Sequence, residues 1–236
     1  MNFKRLKEFS DKNNIGLTDE QIHGLEEFAE ILIEKNKVMN LTAITDPDEV
    51  EIKHMVDSLE GVNLIKELGP VDFKLLDVGC GAGFPGIPLS IAFPQNDITL
   101  LDSLNKRINF VNDTLDQLGL SAAHGIAARA EDFKEREKFD FCTSRAVARM
   151  NVLLEYSLPF VKIGGHCLLY KSGEYKEELK EASKALAELG GEFVKAECVE
   201  LPYGGGSRTI VVIKKVSSTP DKYPRRAGKP TKSPIK

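Results

Sequence analysis

Residues 75–94 read LLDVGCGAGFPGIPLSIAFP. An apolar run closes on Asp77 and Val78, glycines stand at 79, 81, 83 and 86, and a second apolar run leads away. The pattern is strand, bare turn, helix. Glycines permit the tight turn and let a ligand approach the backbone closely. A helix beginning at the turn presents N–H groups without intrahelical partners. Asp102 ends the next apolar run, 21 residues after Gly81. A doubly wound fold sets a carboxylate against ribose hydroxyls at that spacing. These features imply an adenosine-type ligand at the carboxyl ends of parallel strands.

The chain on either side fits such a sheet. Strands are predicted at Lys74–Val78, Asp97–Leu101, Ala122–Ala127, Phe139–Thr143 and Gly165–Lys171. Helical stretches lie between them near 86–93, 105–118, 130–135 and 149–157. This alternation implies a mostly parallel sheet covered on both faces. A charged helix, Glu174–Leu189, ends at Gly190 and Gly191. Two further strands, near 193–201 and 208–214, flank PYGGGS and are close enough to pair as an antiparallel edge hairpin. That makes seven strands in all. Before residue 73 the pattern is helical. Thr18 to Gln21 forms a capping box, and Ile22, Leu25, Phe28, Ala29 and Leu32 follow at helical spacing. Pro47 and Asp48 open another helix with Ile52, Met55, Val56 and Leu59 on one face. The expected division is a helical segment 1–70, an α/β domain 71–216 and a basic tail 217–236.

At 236 residues, 42% hydrophobic and 29% charged, the composition is that of an ordinary globular protein. No apolar run is long enough to span a bilayer. The N-terminus, MNFKRLKEFSDKNN, is too polar for a secretory signal, so a cytoplasmic location is expected. Cys80, Cys142, Cys167 and Cys198 are far apart and lack metal-ligand spacing. They read as reduced, mostly buried thiols, and no metal site is expected. The net charge is −4, yet residues 222–236 carry six Lys and Arg with no acid, which leaves −10 on the rest. The Pro- and Gly-rich tail reads as a loosely ordered arm able to pair with phosphates. On that reading its deletion weakens RNA binding and leaves cofactor affinity alone.

Two ligands compete for the glycine turn. Gly81 to Gly86 satisfies G-x-G-x-x-G, the dinucleotide pattern. Pro85, however, removes an N–H where a pyrophosphate would need donors, and the Asp77 carboxylate would repel a phosphate there. S-adenosylmethionine is cationic and carries no phosphate, so it suits the turn better. An NAD-sensing regulator and a methyltransferase acting on a small molecule or a protein remain alternatives on the same fold.

DVGCGAGFPGIPLSIAFP (77–94) resembles the cofactor loop of the RsmG (GidB) family of 16S ribosomal RNA guanine-N7 methyltransferases. NKVMNLTAI (36–44), HMVDSL (54–59), LLDSLNKRINFV (100–111), RAEDF (129–133), SRAVA (144–148) and KYPRRAGKPTKSPIK (222–236) resemble further segments of that family, in order along most of the chain. The resemblance implies a Rossmann-like class I methyltransferase fold and S-adenosyl-L-methionine as cofactor. It also implies methyl transfer to N7 of one guanine in the 530-loop region of 16S rRNA, within the small ribosomal subunit or an assembly intermediate. A monomer, away from membranes, is expected.

Carried onto this chain, the resemblance implies that Gly79 and Phe84 line the cofactor pocket and that Asp102 holds the ribose. Ala130 and Glu131 would lie beside the adenine, and Arg145 would reach the cofactor or target as the catalytic candidate. Asp77, Gly81, Gly83 and Ser103 complete the expected cofactor set. Asn40, Thr42, His54, Asp57 and Ser58 are expected on an RNA-facing rim. Lys106 and Arg107 open a helix, where positive charge is unfavourable, which hints at a phosphate partner. Lys171, Arg208, Arg225 and Arg226 join the expected RNA contacts, although residues 171–173 read KSG where many relatives carry KG. Guanine N7 presents a free lone pair on the major-groove edge, so no general base is expected.

Overall fold

The structure is a computed structural model that describes residues 3–171 and 175–236. Helices come first: α1 (Lys4–Lys12), α2 (Asp19–Met39), α3 (Pro47–Val50), a π-helical turn (Glu51–Val56), α4 (Asp57–Leu59) and α5 (Val62–Leu68). Then follow β1 (Lys74–Val78), α6 (Gly86–Ala92), β2 (Asp97–Asp102), α7 (Asn105–Gln117), β3 (Ala123–Ala127), β4 (Phe139–Arg145), α8 (Met150–Ser157) and β5 (Val161–Lys171). The chain closes with α9 (Tyr175–Glu181), α10 (Ser183–Leu189), β6 (Gly191–Leu201), β7 (Gly206–Lys215) and α11 (Lys229–Lys232). The seven strands form one sheet in the order β3-β2-β1-β4-β5-β7-β6. β1 to β5 are parallel, and β7 runs antiparallel between β5 and β6. The order reverses between β1 and β4, and open α/β sheets bind ligands in the crevice at that point.

Side chains alternate across the sheet with period two. Leu75, Leu100, Phe141, Leu168 and Val212 face a core shared with α6, α7 and the N-terminal helices. Leu76, Leu101, Cys142, Leu169 and Val211 face a second core under α8 and α10. The capping box forms, with Thr18 Oγ1 accepting from the Gln21 N–H and Gln21 Oε1 accepting from the Thr18 N–H. Gln21 Nε2 also donates to the Ile91 and Ala92 carbonyls. It thereby satisfies carbonyls that the end of α6 leaves without helical partners.

Three expectations change. The stretch 130–135 holds only a 3₁₀ turn, Ala130–Asp132. Phe133 leaves that turn extended and packs its ring edge-on against Phe160. The charged helix is two helices, α9 and α10, while Ser172, Gly173 and Glu174 lie outside the described residues.

The tail is not a loose arm. Tyr223 and Ile235 are buried in the second core, and Pro230 is buried as well. Arg136 donates to the Thr219 carbonyl at 2.8 Å and to the Tyr223 carbonyl. Arg225 forks onto the fully buried Glu155, Nε to Oε1 at 2.9 Å and Nη2 to Oε2 at 2.6 Å. Composition suggested disorder, but a buried carboxylate in α8 needs a cation, and Arg225 supplies it.

Candidate active site

The turn after β1 is tied to β2. The N–H groups of Gly79 and Cys80 both donate to the Leu101 carbonyl, at 2.7 and 3.1 Å. Gly79, Gly81 and Gly83 all have positive φ, a conformation that favours glycine. A Cβ on Gly79 would come within 2.5 Å of Val147, so the loop after β4 presses on the turn there. Gly81 differs, since a Cβ on it would meet no protein atom within 4 Å. It lines a cleft of about 480 Å³ with Gly79, Phe84, Asp102, Ser103, Ala130, Glu131 and Arg145.

Asp102 closes the floor of this cleft. Its Oδ1 accepts from the Leu104 N–H at 2.9 Å, and its Oδ2 accepts from the Gly81 N–H at 3.1 Å. One carboxylate therefore shapes the turn and faces the cleft. Arg107 bonds the same Oδ2 at 3.3 Å. The positive charge at the start of α7 is thus paired within the fold rather than held for a phosphate. Lys106 is exposed and lies off the cleft wall.

Asp77 departs from expectation. It is fully buried beneath the turn, where Oδ2 accepts from the Gly86 N–H at 2.9 Å and Oδ1 from the Thr143 hydroxyl at 3.1 Å. Burial pushes its carboxyl up to about 7. It fixes the start of α6 and is not on the cleft wall, so it holds the turn from beneath rather than touching a ligand.

His54, in the π-helical turn, stacks on Phe84 with ring centroids 4.4 Å apart. The Arg145 guanidinium lies 4.8 Å from the same ring. Arg145 ends β4, where Nη1 donates to Asp57 Oδ2 at 2.9 Å and Nη2 lies 3.3 Å from His54 Nδ1. A guanidinium only donates, so Nδ1 must hold a lone pair. Nε2 then carries the proton and donates to Thr42 Oγ1 at 2.8 Å. Burial, reinforced by the Arg145 charge, lowers the His54 pKa to about 3. The imidazole is therefore neutral at any ordinary pH.

Arg208 joins the cluster, its Nε donating to Asp57 Oδ2 at 3.3 Å. Asp57 is buried, and its Oδ1 has no hydrogen-bond partner among the described residues. His54, Arg145, Ala146 and Val147 also border a second cleft of about 650 Å³, together with Asp57, Lys171 and Arg208. Ala146 has φ +58°, uncommon for a residue with a Cβ. It is fixed between Arg145 on Asp57 and Val147 on Gly79.

Several expected RNA contacts are placed otherwise. Ser58 is fully buried and donates to the His54 carbonyl at 2.6 Å, which steadies the turn instead of forming a rim. Asn40 ends α2 in the left-handed conformation, exposed and off both clefts. Lys171 is an inward tether, bonded to the Ala148 carbonyl at 3.0 Å and to Glu178 at 2.7 Å. Arg225 is spent on Glu155, whereas Arg226 is exposed. Thr42, His54, Asp57, Arg145 and Arg208 do come together.

Sequence reasoning missed Tyr156, whose hydroxyl lines the first cleft and donates to Glu131 Oε1 at 3.2 Å. Nothing in α8 distinguished it from an ordinary helix residue. It also missed Glu155, although an acid within MNVLLEYS was a visible anomaly. No cluster of His, Cys, Asp or Glu among the described residues could hold a metal. No described helix is long and apolar enough to cross a membrane.

The model of the family described as rRNA small subunit methyltransferase G matches residues 21–208. The chain is 48% identical to the ribosomal RNA small subunit methyltransferase G of Alkaliphilus oremlandii, over 98% of each chain. It is 46% identical to that of Desulforamulus reducens, over 98% of this chain and 97% of the relative. Among solved structures it is similar to the 1,6-didemethyltoxoflavin-N1-methyltransferase of Burkholderia thailandensis. That match has a TM-score of 0.56 and 15% identity over 81% of this chain and 90% of the other. M. jannaschii TYW2 in complex with AdoMet gives a TM-score of 0.54 and 14% identity over 68% and 77%. These two likenesses show the class I methyltransferase fold.

Proposed function

The chain belongs to the rRNA small subunit methyltransferase G family, and we propose that it carries a methyl group from S-adenosylmethionine to N7 of one guanine in the 530-loop region of 16S rRNA. The observation that carries this reading is the pair of adjoining clefts with His54 and Arg145 on their shared border. The first cleft fits the cofactor. It offers a bare turn at Gly81, a carboxylate at Asp102 for ribose hydroxyls, and Ala130 and Glu131 where the adenine would sit. Bound there, S-adenosylmethionine supplies an electrophilic sulfonium methyl. The second cleft is the guanine side, with Arg145 and Arg208 as its donors.

The chain's own groups bind and orient. The guanine N7 lone pair is free at neutral pH, so no residue needs to remove a proton. Phe84 and the neutral His54 ring stacked on it give the first cleft an uncharged, flat stretch of wall beside the second. A protonated imidazole there would add a third positive charge beside Arg145 and Arg208 and repel a sulfonium. Holding two reactants in line can lower a barrier by roughly 7–11 kcal/mol at best. The target base must be unstacked to enter. Exposed Arg226, Lys229 and Lys232 offer phosphate contacts near the site. A small subunit or an assembly intermediate, met in the cytoplasm by a monomeric enzyme, completes the reading.

The test is a transfer assay with methyl-labelled S-adenosylmethionine and small subunits from cells lacking this protein, mapped by cleavage at 7-methylguanosine. Label at a single guanine of 16S rRNA is expected. Cofactor binding without label in subunits or in naked rRNA would move the search to another substrate.

A further inference from the structure

The tail reaches the first cleft. Glu131, on the cleft wall, receives two hydrogen bonds on Oε1: the Tyr156 hydroxyl at 3.2 Å and the Gly228 N–H at 3.0 Å. Gly228 lies 97 residues further along the chain and takes a left-handed backbone with φ +78° just before α11. Both donors meet Oε1, and Oε2 takes neither of them. Gly228 is held in place from several directions. Three residues before it, the backbone N–H and side chain of Arg225 both bond Glu155. Arg225 Nη1 also donates to the Ser233 carbonyl at 2.9 Å, closing the tail on itself. Buried Tyr223, Pro230 and Ile235 anchor the segment on either side.

We infer that the C-terminal tail is a positioning element of the cofactor cleft, clamped by Arg225 on Glu155 so that the Gly228 N–H aims the Glu131 carboxylate at the adenosine end of the ligand. The inference rests on the proposed cofactor reading of that cleft. It reverses the expectation that the tail serves RNA alone. Freed from Gly228, the Glu131 side chain keeps, among the described residues, only the Tyr156 hydroxyl and regains rotamer freedom that ligand binding must then remove. Coupling between sites is reciprocal, so an occupied cleft holds the tail down more firmly.

The test is calorimetric titration of S-adenosylmethionine into the full chain without RNA, which removes any contribution of the tail to RNA binding. The clamp is opened by Glu155→Ala with Arg225→Ala, a pair that leaves no buried charge alone. Release of the tail is confirmed by its cleavage with trypsin. Opening the clamp should weaken cofactor binding by up to about tenfold, the cost of re-ordering one freed glutamate side chain. In a Glu131→Ala background the same opening should cost less than about twofold, because the tail then has nothing to aim. General structural support would give equal losses in both backgrounds, and that result overturns the inference, as does unchanged affinity with a released tail. Should the clamp variant unfold, Arg225→Lys is read the same way, since its loss must appear only where Glu131 is present. Failure of the unaltered chain to bind S-adenosylmethionine would instead sink the cofactor reading, and the inference with it.

Discussion

Replacing His54 by Gln should flatten the acid limb of the stability curve. In the folded protein burial and the nearby Arg145 guanidinium lower the imidazole pKa from 6.5 to about 3. The unfolded chain therefore takes up a proton near pH 6.5, while the folded chain refuses it until about pH 3. Between those values the unfolded state binds more protons, so stability falls as pH falls. From pH 8 to pH 5 the loss through His54 alone is about 2 kcal/mol. Other groups act in the opposite sense. Burial raises Asp77 and Glu60 to about 7, which favours the folded state as pH drops from 7 toward 4. The quantity to read is therefore the difference between the two proteins. At pH 8 the unaltered chain should be the more stable, because His54 stacks on Phe84 and bonds Thr42. By pH 5 that advantage should have shrunk by about 2 kcal/mol in denaturant unfolding. Parallel curves would mean that His54 accepts a proton in the folded state, which the Arg145 contact at Nδ1 does not allow.

Asp102→Ala should weaken S-adenosylmethionine binding by about 1.5–3 kcal/mol, as expected for hydrogen bonds to a charged group. It should also loosen the turn at Gly81; calorimetric affinity unchanged from the parent would remove Asp102 from the ribose site. Arg145→Ala should abolish most methyl transfer in single-turnover assays. It should also cost stability, about 3 kcal/mol at the low end for a broken buried pair, because Asp57 would keep only Arg208. Normal turnover would take Arg145 out of the site. Trypsin should cut the tail at Arg225, Arg226 and Lys232 more slowly when S-adenosylmethionine is present, and an unchanged rate would mean that cleft and tail are independent.

The sheet was legible because its rule is local. Leu75 and Leu76, Leu100 and Leu101, and Leu168 and Leu169 alternate between two cores, and each run is bounded by turn residues. The Gly81 to Asp102 spacing brings the two residues into contact, since a turn after one strand and an acid at the end of the next meet when the strands are neighbours. Asp77 misled because sequence gives position along a strand but not depth. Alternation aims it under the turn, where Gly86 and Thr143 claim it. Ser58 was read one helical turn from His54, as it is, yet its hydroxyl turns back to the His54 carbonyl. The tail was opaque for a different reason. Its buried anchors, Tyr223, Pro230 and Ile235, follow no helical or strand period, and Pro and Gly between them carry the signature of disorder.

The charge asymmetry between body and tail then has two parts. Some of the body's acid is the tail's own docking surface: Glu155 takes Arg225, Glu188 faces Tyr223 and Lys222, and Glu131 takes the Gly228 N–H. Docking neutralises one full buried pair and still leaves Arg226, Lys229, Lys232 and Lys236 facing outward. A basic strip is thus carried on an anchored tail beside an acidic body that repels polyanions at large. An anchored strip loses less entropy on meeting phosphate than a free arm would. It also lies on the element that fixes Glu131. RNA on the strip and ligand in the cleft would therefore stabilise one and the same tail conformation, and each should strengthen the binding of the other.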